Sequence, residues 1–254
     1  MSAHSPLSVR KLGKCYGALR AVDDVSFDVG DGEIIGFCGP NGAGKTTMFD
    51  LISGLTMADT GDVLVDGEKI AANRPDLRVD HGLARTFQLN AAFDSLSVAD
   101  NLRLALTYSK RSKPATRAAG DARVLEIARR FGLQDILNVP ASLISVLQSK
   151  ILMLACAYAA NPRFILLDEP VAGLSHSEID EFQQIVLDLR AESGITFLVI
   201  EHVMPFLMGI SSRVIFLHNG SIEFDGAPQE LVRNSQIVAL YLGETVAAML
   251  AEDA

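Results

Sequence analysis

A glycine-rich segment constrains the fold of this chain more than any other feature. Residues 39–47 read GPNGAGKTT and match the phosphate-binding pattern G-x-x-x-x-G-K-[ST]. The segment follows Ile34–Cys38, a wholly apolar run typical of a strand buried on both faces, and it precedes a helical pattern. A strand before the loop and a helix after it are the context that this motif needs, so it predicts an α/β fold with a parallel sheet rather than an ordinary strand-to-helix turn.

The residue types in this segment suit a bound polyphosphate. Glycines let successive backbone N–H groups turn toward phosphate oxygens, and the N-terminus of the following helix attracts the same anion. The Lys45 ammonium is able to neutralise β- and γ-phosphates, and the Thr46 hydroxyl is able to ligate Mg²⁺. The candidate nucleotide-binding residues of the loop are Gly39, Pro40, Asn41, Gly42, Ala43, Gly44, Lys45, Thr46 and Thr47.

A second apolar run ends in two carboxylates. Residues 164–169 read FILLDE, so a buried strand would present Asp168 and Glu169 at its C-terminal end, where ligands bind in open α/β sheets. Asp168 suits the Mg²⁺ shell, directly or through water, and Glu169 suits the orientation of an attacking water. This run means little alone, but together with the phosphate-binding loop it predicts nucleotide hydrolysis.

Composition excludes several other classes. The chain has 254 residues and a formal charge of −9, which argues against a protein that grips nucleic acid through a broad basic face. Three distant cysteines, Cys15, Cys38 and Cys156, fit a reducing compartment rather than a disulfide scaffold. The mean hydropathy is +0.26, yet the most apolar stretch, 195–217, contains too many polar groups to span a membrane. We therefore expect a cytosolic chain without a direct membrane span.

The pattern along the chain predicts one domain, residues 1–254, with an insertion. Residues 1–88 and 161–254 alternate strands and helices, and residues 89–160 are mainly helical. Ser145-Val-Leu-Gln148 has the form of a capping box and predicts a helix start. Asn219-Gly220 predicts a hairpin turn, and the segment around Asp66-Gly67 predicts a hairpin or edge strands. The basic stretch 109–120 is either a solvated loop or a patch for nucleic acid or lipid.

The order of these motifs resembles that of ATP-binding cassette (ABC) transporter ATPases. GPNGAGKTT, FILLDEPVAGL and VIEH follow one another with a helical block between the first two. The resemblance covers nearly the whole chain and implies a RecA-like P-loop core with a parallel sheet, an N-terminal antiparallel β subdomain and an inserted helical subdomain. It also implies ATP and Mg²⁺ as cofactors, a second ATPase subunit, two permease subunits, a solute-binding protein and a place at the inner face of the membrane.

Three further site residues follow from the resemblance alone. Tyr16 matches the aromatic residue that stacks on adenine, and Gln88 matches the glutamine that reaches Mg²⁺ and the attacking water. His202, in the segment IEH, matches the histidine that contacts the γ-phosphate, with a packed strand-end histidine as the alternative.

The subfamily is also indicated. GLARTFQLNAAFDSLSVADNL, IEHVMPFLMGISSRV and the ending ALYLGE resemble ATPases of branched-chain amino acid importers and of related importers for small polar solutes. The ATPase of lipopolysaccharide export is the main competitor.

The family signature L-S-G-G-Q falls on residues 144–148, which read ISVLQ. Ser145 and Gln148 are kept as candidate contacts to the partner's nucleotide, but both glycines are lost, and Leu147 is expected to crowd the phosphate. Ser175 also replaces the usual Asp or Asn of the nearby D-loop. We therefore expect a heterodimer with one competent and one degenerate site, or a weakly hydrolysing regulatory cassette.

Overall fold

The computed structural model describes residues 5–71, 73–86, 92–108 and 110–242. The chain divides into two units, residues 1–73 with 198–254 and residues 74–197. The first unit begins with β1 (Leu7–Tyr16), β2 (Leu19–Val29), β3 (Ile34–Cys38), α1 (Lys45–Ser53), β4 (Thr60–Val65) and β5 (Glu68–Lys69). The second contains α2 (Pro75–Asp80), β6 (Leu83–Arg85), α3 (Val98–Tyr108), α4 (Arg117–Arg130), α5 (Val146–Ala159), β7 (Phe164–Asp168) and α6 (His176–Ser193). The chain then forms β8 (Thr196–Ile200), which crosses the boundary, followed by α7 (Met204–Ile210), β9 (Arg213–His218), β10 (Ser221–Gly226), α8 (Pro228–Leu231) and α9 (Ser235–Leu242).

An antiparallel sheet with the order β2-β1-β4-β5 forms one layer of the first unit. The predicted turn at Asp66-Gly67 is confirmed, since both residues have positive φ (52° and 81°) and connect β4 to β5. This geometry is that of a tight two-residue hairpin, which favours an Asp-Gly pair.

Parallel pairing in the first unit involves β3, the strand that leads into the glycine-rich loop. It pairs with β9 in parallel register, from Ile35 opposite Arg213 to Cys38 opposite Phe216. The end of β8 lies on its other side, where the Glu201 N–H donates to the Phe37 carbonyl at 3.3 Å. All five residues of β3 are buried, as its uninterrupted apolar sequence predicts for a strand covered on both faces.

The second unit also contains parallel pairing. Strand β6 pairs with β7, with Leu83 opposite Phe164 and Arg85 opposite Leu166. Helices α3, α4 and α5 all fall within residues 89–160, and α5 packs against α3. The exact bounds of the predicted helical subdomain stay a prediction.

The capping box at Ser145 and the hairpin at Asn219-Gly220 are confirmed. The short elements β6 and α7 were not predicted, because segments of three to seven residues without a clear apolar period do not distinguish strand from helix. Within the described residues, no helix is long and apolar enough to cross a membrane.

Candidate functional site

Three glycines set the path of the loop between β3 and α1. Gly39, Gly42 and Gly44 have φ of 141°, 80° and 98°, values that side chains with a Cβ rarely adopt. A Cβ at Gly39 would lie 2.1 Å from the Leu217 carbonyl oxygen, and one at Gly44 would lie 2.0 Å from that of Ala21. The loop is therefore closed tightly on its inner side, and only glycine fits at these two positions.

Backbone hydrogen bonds hold the loop in this shape. The Ala43 N–H donates to the Pro40 carbonyl at 3.2 Å, which closes the turn. The Ala43 carbonyl in turn accepts the Gly220 N–H at 3.1 Å, so the β9–β10 hairpin supports the loop from behind. Asn41, Gly42 and Thr46 are exposed on the other side, and Thr47 is half-buried. The outward face of the loop is accordingly the one open to a ligand.

Lys45, the first residue of α1, folds back over this loop. Its Nζ donates to the Gly39 carbonyl at 2.7 Å and to the Pro40 carbonyl at 2.9 Å, and the residue is buried. The lysine ammonium is a fixed positive charge at the loop, and it would attract an anion bound there. This arrangement fits a phosphate group.

The Cys38 thiol, next to the loop, is not a reactive nucleophile. Burial raises the pKa of Cys38 to about 12, although the nearby Lys45 cation acts in the opposite direction. A thiol with such a pKa stays protonated at neutral pH and is a poor nucleophile. The chemistry of this loop is therefore that of anion binding.

His202 follows β8 directly and lies in the same unit as the loop. The buried Glu201 carboxylate accepts the backbone N–H groups of His202 at 2.7 Å and of Val203 at 3.0 Å. These bonds fix the backbone from which His202 projects, next to the strand that leads into the loop. Sequence reasoning did not assign a role to Glu201; the only signal was a carboxylate at the end of an apolar strand.

Tyr16 ends β1 and is 50% exposed. The Lys14 ammonium lies 5.6 Å from its ring centroid, and Asp59 holds both the Lys14 ammonium and the Cys15 N–H. The ring thus offers open aromatic surface on a braced segment, as stacking on a base requires.

Asp168 and Glu169 stand at the end of β7, as the sequence predicts. Asp168 is buried, and its Oδ2 accepts a hydrogen bond from Arg85 Nη2 at 2.8 Å. Glu169 is half-buried and has a positive φ of 48°, an uncommon conformation for a residue that is not glycine. Its carbonyl accepts a hydrogen bond from Lys150 Nζ at 3.3 Å. Arg85 was not predicted, because no local pattern links it to a carboxylate 83 residues away.

The donor types agree with Mg²⁺ rather than with a transition metal. No group of three or more His, Cys, Asp or Glu side chains in the described part of the chain could hold a metal. Mg²⁺ is usually bound by one or two protein oxygens together with substrate phosphates and water. A threonine hydroxyl such as that of Thr46 and a carboxylate such as that of Asp168 are donors of this kind.

A model of the ABC transporter family matches residues 22–172. The chain belongs to the ABC transporter family. It is 33% identical to the lipopolysaccharide export ATP-binding protein LptB of Haemophilus influenzae, over 94% of this chain and 98% of that protein. It is 31% identical to the high-affinity branched-chain amino acid transport ATP-binding protein BraF of Pseudomonas aeruginosa, with the same coverage of 94% and 98%.

Solved ABC cassettes share the fold. The ADP form of MJ1267, an ATP-binding cassette of an ABC transporter, is 27% identical with a TM-score of 0.85, and the match covers 94% of this chain and 99% of that one. The α/β fold with a parallel sheet and an antiparallel β subdomain is thereby confirmed. As an ABC ATPase, the chain binds ATP with Mg²⁺ and couples hydrolysis to transport with membrane permease components.

Residues 144–148, which align with the family signature in the sequence, lie at the start of α5. Ser145 Oγ accepts the Gln148 N–H at 3.2 Å, and Gln148 Oε1 accepts the Ser145 N–H at 3.0 Å. Leu147 is only 8% exposed, whereas Val146 is 54% exposed and Leu143 74% exposed. The structure thus corrects the expectation that Leu147 crowds the phosphate: Leu147 packs inward, and Val146 is the protruding side chain at a signature glycine position.

Ser175, the altered D-loop position, precedes α6. Its N–H and its Oγ both donate to Glu178 Oε2, at 2.8 Å and 2.7 Å. These bonds lower the pKa of Glu178 and secure the start of the helix. The replacement by Ser therefore has a structural use at this position.

Gln88 lies outside the described residues. Its role at Mg²⁺ and water stays a prediction.

Proposed function

We propose that this ATPase energises the import of branched-chain amino acids or of a related small polar solute. The proposal that the chain binds and hydrolyses a nucleotide rests on one observation: the buried Lys45 ammonium folds over the glycine-rich loop. The name of BraF supports the solute class, and so do the segments RTFQ and IEHVMPFLMGISS. The import direction rests on that resemblance.

We further propose roles for the residues of the nucleotide site. Gly39–Thr47 bind the phosphates through backbone N–H groups, Lys45 and the α1 terminus, and Tyr16 stacks on the base. Thr46 and Asp168 supply oxygen donors for Mg²⁺, which when bound offsets the charge of the phosphates. Gln88 contacts Mg²⁺ and water.

The proposed reaction centre consists of Glu169 and His202. Glu169 orients the attacking water, and His202 contacts the γ-phosphate, held by a backbone that Glu201 fixes. Ser145 and Gln148 contact a partner's nucleotide from the α5 terminus.

Replacement of Glu169 by Gln tests the hydrolytic role. The amide keeps the shape but loses the charge that orients water, so we expect the hydrolysis rate to fall by about 10²–10⁴-fold while ATP affinity is retained. Glu181→Gln, on the exposed face of α6, is the matched control and should behave as wild type. A wild-type rate in Glu169→Gln would refute the assignment.

A groove in the second unit supports docking to a permease. It has a volume of about 690 Å³ and its walls include Thr86, Phe93, Leu96, Leu104 and Met153. Phe93 is 56% exposed, an unusual position for a large apolar side chain in a groove unless a partner covers it. We propose that a permease helix docks here, which places the chain at the inner face of the membrane.

The docking proposal is tested by Phe93→Asp. A buried charge would oppose the docking of an apolar helix, so we expect the variant to copurify poorly with its permease subunits. Normal complex assembly by Phe93→Asp would contradict the proposal. Leu125→Asp, on the exposed part of α4, is the control for an added surface charge.

We also propose a heterodimer with a second ABC ATPase and transport that involves a solute-binding protein. The apolar residues Leu143 and Val146 at the α5 terminus support an altered signature. ATPase rates of the chain alone and mixed with its partner test this, because only the mixture should be fast. High activity of the chain alone, as a homodimer in light scattering, would overturn it.

Two alternatives have specific support. LptB supports a lipopolysaccharide-export ATPase, and the altered signature supports a weakly hydrolysing regulatory cassette. Stimulation of hydrolysis by the cognate permease with a small polar solute and its binding protein supports the import proposal. Stimulation by lipopolysaccharide would support the export ATPase. No stimulation at all would support the regulatory cassette.

A further inference from the structure

A buried ion pair connects β6 to the carboxylate at the end of β7. Arg85 Nη2 lies 2.8 Å from Asp168 Oδ2, and the two side chains are only 6% and 4% exposed. The register of the two strands aligns them, because Arg85 is opposite Leu166 and the next residue, Thr86, donates its N–H to the Leu166 carbonyl at 2.9 Å. The backbone that carries the guanidinium is thus tied to the strand that carries the carboxylate.

Arg85 also lines the apolar groove of about 690 Å³ in the same unit. Asn101, on a neighbouring part of that groove, accepts the Phe93 N–H at 2.8 Å and donates to the Phe93 carbonyl at 3.2 Å. One wall of the groove is therefore held in place, and Arg85 extends from the groove to Asp168.

A pair this deeply buried needs an explanation beyond stability. Desolvation of two charges often cancels their attraction, so apolar residues of similar size would serve a core equally well. Carboxylates that bind metals, in contrast, are commonly held by a second hydrogen-bonding group that sets their orientation. A guanidinium is suited to this, because its donors are fixed in one plane.

We propose that Arg85 is a positioning residue that orients Asp168 toward Mg²⁺ and makes this orientation sensitive to what occupies the groove. The proposal rests on the proposed metal-binding role of Asp168. A side chain that fills the groove would shift the guanidinium, and the carboxylate would turn with it.

The first experiment measures how much Mg²⁺ improves the binding of a fluorescent ATP analogue, mant-ATP. The affinity of the full-length chain is determined in EDTA and in MgCl₂, and the ratio of the two is the metal contribution. Arg85→Met should reduce this ratio by about tenfold or more, as for other groups that hold a metal ligand, with unchanged affinity in EDTA. Arg85→Lys keeps the charge but not the planar donors and should give an intermediate ratio.

Arg103→Met is the matched control. Arg103 also pairs with carboxylates at 2.8 Å and 2.9 Å, those of Asp100 and Asp121, but it is exposed and should keep the wild-type ratio. A wild-type or increased ratio in Arg85→Met would overturn the proposal. If removal of the buried charge prevents Arg85→Met from folding, Arg85→Lys takes its place, and a wild-type or increased ratio in Arg85→Lys would overturn the proposal.

Asp168→Asn separates this inference from the proposed function. Loss of the metal contribution in Asp168→Asn but not in the Arg85 variants overturns the role of Arg85 alone. Retention of the metal contribution in Asp168→Asn overturns the metal-binding role of Asp168, and the inference with it.

The second experiment fills the groove from α3. Ala105 is half-buried in its wall, so Ala105→Trp occupies the space without a partner. In the wild-type background the substitution should change the metal contribution by at least about threefold, and in Arg85→Lys it should change it by much less. Equal effects in the two backgrounds, or no effect in either, would overturn the link between groove and carboxylate.

Discussion

Two helices of this chain begin where the sequence predicts contact with phosphate, and they begin in opposite ways. Helix α1 starts after Gly44, which is in the left-handed region, and among the described residues no side chain caps it. Helix α5 starts after Ser145, whose hydroxyl and the Gln148 amide each accept a backbone N–H of the other residue. Before α1, the exposed residues of the loop are Asn41 and Gly42, whereas at α5 the apolar side chains of Leu143 and Val146 are exposed.

The difference shows how one feature, a helix N-terminus, serves two purposes. An N-terminus without a side-chain cap leaves its N–H groups and its positive end for an external anion. A complete capping box satisfies part of the same terminus from within and stabilises the helix without any ligand. We propose that the first arrangement binds phosphate; the second is the one whose contribution to a partner's site we expect to be weak.

The largest expected effect comes from Leu147→Gly, because Leu147 packs inside. Loss of a buried leucine side chain and the entropy of glycine in the first turn should lower the free energy of unfolding by about 4 kcal/mol. Urea denaturation followed by circular dichroism measures it. A loss below about 1 kcal/mol would mean that Leu147 points outward after all.

Lys45→Ala should weaken ATP binding and hydrolysis by about a hundredfold or more, since it removes the fixed charge at the α1 loop. Titration with mant-ATP and a phosphate-release assay measure the two effects. Lys113→Ala, at an exposed position of the second unit, is the control. Equal behaviour of the two variants would show that the loop does not depend on this ammonium.

Val146→Gly should make the α5 terminus more like the α1 loop. Removal of the exposed side chain gives a phosphate closer access to the backbone, so we expect the ATPase rate of the concentrated chain to increase by about tenfold. Val146→Ala should give a smaller increase. An unchanged rate in both variants would show that this side chain does not limit the signature.

Ser145→Ala has the smallest expected effect. It removes one half of the capping box and should lower the free energy of unfolding by about 1 kcal/mol. Denaturation in urea measures this loss, and Ser142→Ala, an exposed serine just before the helix, is the control. A larger loss than that of Leu147→Gly would reverse the order expected from burial.

Local patterns predicted much of the fold. Each of these patterns, namely the loop motif, the two hairpin turns and the capping box, depends on residues within about nine positions of one another. Their geometry therefore follows from the types of neighbouring residues. Among the elements that were not predicted, β6 and α7 are short, and their conformation depends on neighbouring strands and helices that are distant in sequence.

The same distinction applies to the candidate site. Lys45, Asp168 and Glu169 follow from motifs and His202 from the family resemblance. The structure adds two supporting residues, Glu201 and Arg85. Both residues lie in segments that carry the family resemblance, VIEH and GLARTFQ, but the sequence alone assigned no role to either, because each acts through a contact that only the fold creates.

By itself, the sequence determined where a phosphate-binding loop, a pair of strand-end carboxylates and a capped helix occur, since these depend on short-range backbone preferences. Only the tertiary structure decided which side of α5 is buried. The segment KILMLACAYAA is apolar on all faces and carries no period that would orient it. In the folded chain Leu147 is buried and Val146 is exposed, and parallel pairing of β6 with β7 brings Arg85 to Asp168.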